Sequence, residues 1–200
     1  MPKGLGLLNG TLYVVDSHNS RVLMFTAYEL RYIGSFGSRG IEPGRMSHPE
    51  GLCIWNGEVF VADSGNDRIQ VFNERGVLKR WFRVPGRSAG HAMMPTALSA
   101  ADDRMYVLGE TDGEDGRMLQ VINATGSLLQ TITVGGTLGT WGRLSHVLVT
   151  KQSSSQRLYA VDSDWHRVHV FTIRHERERT HSGTWEKSKE RNTHHNVGKH

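Results

Sequence analysis

Three aspartates stand at matched places in the chain, each five residues ahead of an arginine: Asp16 and Arg21, Asp63 and Arg68, Asp162 and Arg167. Carboxylates brought to one centre can hold a cation or serve as acid and base. The same residue types in a repeated turn do something different. There the carboxylate takes turn N–H groups, and the arginine anchors the turn or a neighbouring element. We favour the second reading, because catalysis needs differentiated residues and these recur in one local context. Asn19 and Asn66 lie between acid and base and suit turn positions with left-handed backbone angles.

The remaining reactive side chains form no constellation. His48, His91 and His146 are the candidate metal ligands, but they fall at unlike positions, so neither a metal nor a cofactor is expected. No Gly-x-Ser-x-Gly nucleophile turn and no phosphate-binding glycine loop occurs; Gly4-Leu5-Gly6 and Gly135-Gly136 read as turn glycines. Cys53 is the only cysteine, which excludes an internal disulfide and any cysteine-built zinc module, and it reads as a small buried hydrophobe. No catalytic residue is assigned, and the chain is not read as an enzyme.

Composition narrows the classes further. In 200 residues, 37% are hydrophobic and 22% charged, enough apolar material for a core, and the net charge of +4 is too small for a strongly basic protein. No run approaches the roughly 18 apolar residues of a membrane-spanning helix. Met1-Pro2-Lys3-Gly4 lacks a charged-then-apolar leader, so a cytoplasmic location and no membrane contact are expected.

The elements that must position these residues repeat. Leu12-Tyr13-Val14-Val15-Asp16 through Phe25 recurs 47 residues later as Val59-Phe60-Val61-Ala62-Asp63 through Phe72, and again as Leu158-Tyr159-Ala160-Val161-Asp162 through Phe171. A degenerate copy runs from Met105 to Asn123, with its aspartate lost and a longer acidic loop. Apolar and polar residues alternate with period two between Gly, Asn, Asp and Ser, so the segments are strands. Four strands per unit are expected: 5–8, 11–16, 21–25 and 32–36; 51–54, 58–63, 68–72 and 78–83; 96–100, 105–109, 118–123 and 128–134; then 146–150, 157–162 and 167–172 with the last outer strand missing or poorly formed. Units of this size match propeller blades. Residues 175–200 hold five His, six Lys or Arg and four acids, with Val197 the only aliphatic residue, and are expected to form a disordered basic tail after a 1–174 propeller.

Pro49-Glu50-Gly51-Leu52, the run Val61 to Phe72, and Gly34-Ser35-Phe36-Gly37 resemble the start, middle and linker of NHL repeats. The resemblance covers about residues 5–174 and implies an all-β protein: a β-propeller of about four four-stranded NHL-like blades, or an incomplete arc of a larger propeller with two open sheet edges. Such propellers usually have more blades. The resemblance also implies a scaffold that binds a protein through the face formed by inter-blade loops and the loops joining second and third strands. Arg39, Arg45, Arg87, Arg143, Trp141 and Trp165 are the expected contact residues on that face, with Asp63, Asp162 and other acids towards its rim. Single-stranded RNA on those arginines is the alternative partner. A metal-dependent propeller enzyme of the peptidyl-hydroxyglycine lyase or lactonase type is the third reading. Self-association through the open edges is a further expectation.

Overall fold

Side chains that alternate between two environments favour extended backbone, and β-branched and aromatic residues fill these runs. The computed structural model describes residues 1–86, 91–111, 117–132, 144–152, 155–164 and 166–173. The expected strands form there. The first blade comprises β1 (Pro2–Leu8), β2 (Thr11–Asp16), β3 (Arg21–Thr26) and β4 (Tyr32–Phe36), and the second β5 (Leu52–Trp55), β6 (Glu58–Asp63), β7 (Arg68–Phe72) and β8 (Leu78–Phe82). The third comprises β9 (Met94–Ala101), β10 (Arg104–Glu110), β11 (Arg117–Ile122) and β12 (Leu128–Ile132), and the fourth β13 (Leu144–Gln152), β14 (Ser155–Asp162) and β15 (Arg167–Ile173). Each sheet is an antiparallel meander in chain order; three have four strands and the last has three among the described residues. A register shift recurs between third and fourth strands, at Met24/Phe25, Val71/Phe72 and Val121/Ile122. Such bulges sharpen the twist of each blade in the same place.

The sheets stand as four blades, their first strands lining a shared central cavity. Three apolar clusters fill the three successive blade interfaces. Tyr13, Val15 and Val22 of the first blade meet Leu52, Val61 and Phe72 of the second. Phe60, Ile69 and Val71 meet Met93, Met105 and Ile122. Tyr106, Leu119 and Val121 meet Val147, Leu158 and Ala160. Full burial of one such side chain is worth about 1.5–3 kcal/mol, so the clusters dominate cohesion between blades.

The inner strands approach closely at equivalent glycines. A Cβ on Gly4 would lie 2.6 Å from the Leu52 amide nitrogen, and one on Gly51 would lie 2.8 Å from the Thr96 carbonyl oxygen. This explains the Pro-x-Gly-Leu start physically: the third residue must leave room for the next blade. It also corrects the reading of Gly4 and Gly6 as turn glycines, since both lie within β1.

The strand-two-to-three turns are short 3-10 segments, Ser17–Asn19 and Ser64–Asn66. The left-handed residue is the one after each asparagine, Ser20 at φ 53° and Asp67 at φ 52°. Asn19 and Asn66 are therefore not the left-handed positions expected; their side chains are turned to the aspartates instead. The end blades each present an apolar sheet face, not an unpaired strand edge, because the strands of a blade are stacked from axis to rim. The fourth blade's outer strand, Gly135-Gly136 and the 175–200 tail lie outside the described residues.

Candidate functional site

The loop joining the first and second blades, residues 37–50, is held by side chains of β6, β7 and the turn between them. Asp63 is fully buried. Its carboxylate accepts the Ser47 N–H at 2.7 Å, Asn66 Nδ2 at 2.9 Å, Arg68 Nε at 2.7 Å and Gln70 Nε2 at 3.0 Å. Most donors are side chains, and the backbone N–H comes from the inter-blade loop; the carboxylate does not cap its own turn. Arg68 Nη2 continues to the carbonyls of Glu42 and Arg45 at 2.9 and 2.8 Å, and its guanidinium lies 5.5 Å from the Trp81 ring centre. Asn66 donates to the Gly40 carbonyl at 3.0 Å. Gln70 donates to the Arg45 carbonyl at 2.6 Å and accepts the Gly44 N–H at 2.8 Å.

The loop backbone is thus tied down, Met46 is buried in the core, and the side chains of Arg39, Ile41, Glu42 and Arg45 are left in solvent. Ile41 is 74% exposed. Arg39 and Arg45 are exposed beside it, and Arg45 Nε lies 3.7 Å from the Glu42 carboxylate. Ile41 thus presents apolar area between two arginines and an acid. Ile41 was not among the expected contact residues; its signal was an aliphatic side chain inside the turn-like run Gly40-Ile41-Glu42-Pro43-Gly44.

The other acid–arginine pairs repeat the device with local changes. Asp16 accepts from Asn19 Nδ2 at 2.8 Å, Arg21 Nε at 3.2 Å and the N-terminal amine at 3.3 Å. The Asn19 bond above all, aided by Arg21 and the amine, holds its carboxyl below the usual range. Buried Asp162 meets Arg167 Nε at 3.3 Å and His169 Nε2 at 3.1 Å, the histidine standing where the second blade has Gln70. The third blade has lost the pair: Gly109 and Met118 stand where the second blade has Asp63 and Arg68. Glu110 and Arg117 pair one residue further along, on the opposite face of the sheet, with Arg117 Nη2 at 2.7 Å from Glu110 and Nη1 at 2.7 Å from the Leu144 carbonyl of the next blade.

Asp63 and Asp162 are inside the molecule, so they add no acid to the rim of the loop face; Asp67 and Asp164 are exposed. The expected contact residues Arg87, Trp141, Arg143 and Trp165 lie outside the described residues. Of the histidines, His48 and His91 are exposed and His146 lines the central cavity. That cavity, about 570 Å³, carries Glu50 with Lys3 at 3.5 Å and Glu110 with Arg117, each acid facing a base. Among the described residues no three His, Cys, Asp or Glu side chains gather as a metal would need. Cys53 is buried, which pushes its thiol up to about 12 and keeps it protonated at neutral pH.

Residues 46–72, from the end of the loop through β7, match the family model of the NHL repeat. The chain carries an NHL repeat. The NHL match thus spans Asp63, Asn66, Arg68 and Gln70, the residues that bind the loop. No curated protein matches the chain. Among solved structures it is similar to Kuenenia stuttgartiensis hydrazine synthase, at 16% identity and a TM-score of 0.60 over 88% of this chain and 51% of that one. It is similar to Myxococcus xanthus glutaminyl cyclase at 16% identity and a TM-score of 0.59, covering 87% of this chain and 74% of that one. A chain of a nidogen/laminin complex matches at 15% identity and a TM-score of 0.55, with 86% and 59% covered. The chain spans about half the length of the first of these structures. These likenesses show the fold.

Proposed function

We propose that the chain is a non-enzymatic β-propeller scaffold that binds a protein partner through its inter-blade loop face. The observation that carries this reading is the division of labour in residues 37–50: buried blade side chains bind the loop backbone, and Ile41, Arg39 and Arg45 stay exposed. A pre-ordered loop loses little entropy on binding, which favours recognition. The cavity acids are each opposed by a base, an arrangement that suits structure better than proton transfer. Two of the similar folds are named as enzymes, but identities of 16% carry the fold and not the chemistry. The same exposed arginines favour single-stranded RNA as the second reading, since Asp63 and Asp162 are withdrawn from the face. We place the protein in the cytoplasm, where the lone thiol of Cys53 stays reduced.

The test compares proteins captured by the wild-type chain with those captured by Ile41→Asp and by Arg39→Glu/Arg45→Glu. A discrete partner retained by wild type and lost by both variants, with unchanged melting temperatures, is expected. Capture that survives both variants contradicts the reading. Binding of a random single-stranded RNA pool that weakens by about one log unit per log unit of salt for each phosphate contact would establish RNA instead.

A further inference from the structure

The first and last blades each expose an apolar face, and the repeat says what kind of surface each one is. Cross-strand partners lie on the same face of a sheet. In the first blade Leu5, Val14 and Leu23 form one row across the strands, and Leu7, Leu12 and Phe25 form the next. Leu5 and Leu7 are 63% and 61% exposed. The equivalent residues of the second blade, Leu52, Val61, Val59 and Phe72, are buried against the blade before them. In the fourth blade the row Leu148, Tyr159 and Val170 and the pair Val161 and Val168 form the outward face. Leu148 is 55% and Val168 52% exposed. Their equivalents Cys53, Phe60, Val71 and Ile69 are buried against the blade that follows.

The chain therefore carries both halves of one interface, used internally three times, and leaves one half open at each end. We propose that a second copy of this chain covers these faces, with the fourth blade of one copy packed on the first blade of the next. Residues 174–200 hold Val197 and Trp185 as their only large apolar side chains, a composition too polar to match such a face. A polar contact also fits. Tyr13 donates its hydroxyl to the Glu74 carbonyl in the next blade's third-to-fourth strand turn, at 2.8 Å. Tyr159 holds the Tyr13 position in the fourth blade, and the matching turn of the first blade is Ala27 to Leu30, where Tyr28 is 94% exposed. The two faces differ, so the contact is heterologous: it closes into a ring or propagates.

The test uses the full chain in sedimentation velocity from micromolar to hundreds of micromolar. Wild type is expected to gain mass with concentration. Leu7→Glu spoils only the first-blade face and Val168→Glu only the fourth; both sites are exposed in the single chain, so each variant is expected to fold, melt as wild type does, and remain monomeric alone. An equimolar mixture of the two variants retains one intact pair of faces and is expected to restore a species of twice the monomer mass. A wild-type chain that stays monomeric throughout overturns the proposal. Association that persists in either variant alone, or a mixture that stays monomeric, overturns the head-to-tail arrangement.

Discussion

Asp63 and Arg68 decide the local structure of the second blade because their pairing is buried: the arginine side chain is 6% exposed and the carboxylate 0%. A buried ion pair holds only when every lone pair and donor is used, and here four donors reach one carboxylate. Arg68→Ala leaves that carboxylate without its counter-ion, so a loss of about 3–5 kcal/mol in chemical unfolding is expected. Glu58 offers a pH-dependent counterpart. Bonds from Arg80, and then Lys79, hold its carboxyl below the ordinary value of 4.5. A lowered folded value means that the stabilisation is present above pH 4.5 and is lost as pH falls through the folded value. Glu58→Gln is expected to cost about 1 kcal/mol at pH 7, with the difference from wild type vanishing in acid, as followed by thermal melts across pH. An equal difference at both ends of the range would contradict this account.

At the scale of elements, the close approach of inner strands makes Gly51 a spacing residue. A Cβ there meets Thr96 and Ala97 backbone atoms at 2.8 and 2.9 Å, which cannot move as a flexible side chain can. Gly51→Ala is expected to destabilise by about 1–3 kcal/mol through separation of the second and third blades, measured as a lower melting temperature. The strand pattern was legible in the sequence because a period of two, the recurring Asp-to-Arg spacing and the terminal Phe coincide in three copies. What escaped was the third dimension of the turn. Sequence placed Asn66 at the left-handed position, whereas Asp67 takes it and frees the Asn66 amide for Asp63 and the Gly40 carbonyl. Glu110 and Arg117 escaped because they pair one step beyond the repeated Asp-to-Arg position, on the other face of the sheet, where strand register and not a repeated spacing brings them together.

At the scale of the whole molecule, the repeated blade explains both how the loops are presented and why the ends are apolar. Residue type alone indicated that Arg39 and Arg45 belong to a loop between blades; it did not indicate that the intervening backbone is bound from beneath by Gln70, Arg68 and Asn66. That support is long-range in sequence and visible only once β7 lies under the loop. The second blade acts as a mould that holds the backbone of residues 40–47 in place. Site-resolved amide hydrogen exchange on the intact chain tests it most directly. The Gly44 and Ser47 amides, bound by Gln70 and Asp63, are expected to be protected to the same degree as the amides of β6, and to lose that protection in Gln70→Ala while β6 keeps its own. Exchange of Gly44 and Ser47 at free-peptide rates in the wild-type chain would contradict the account.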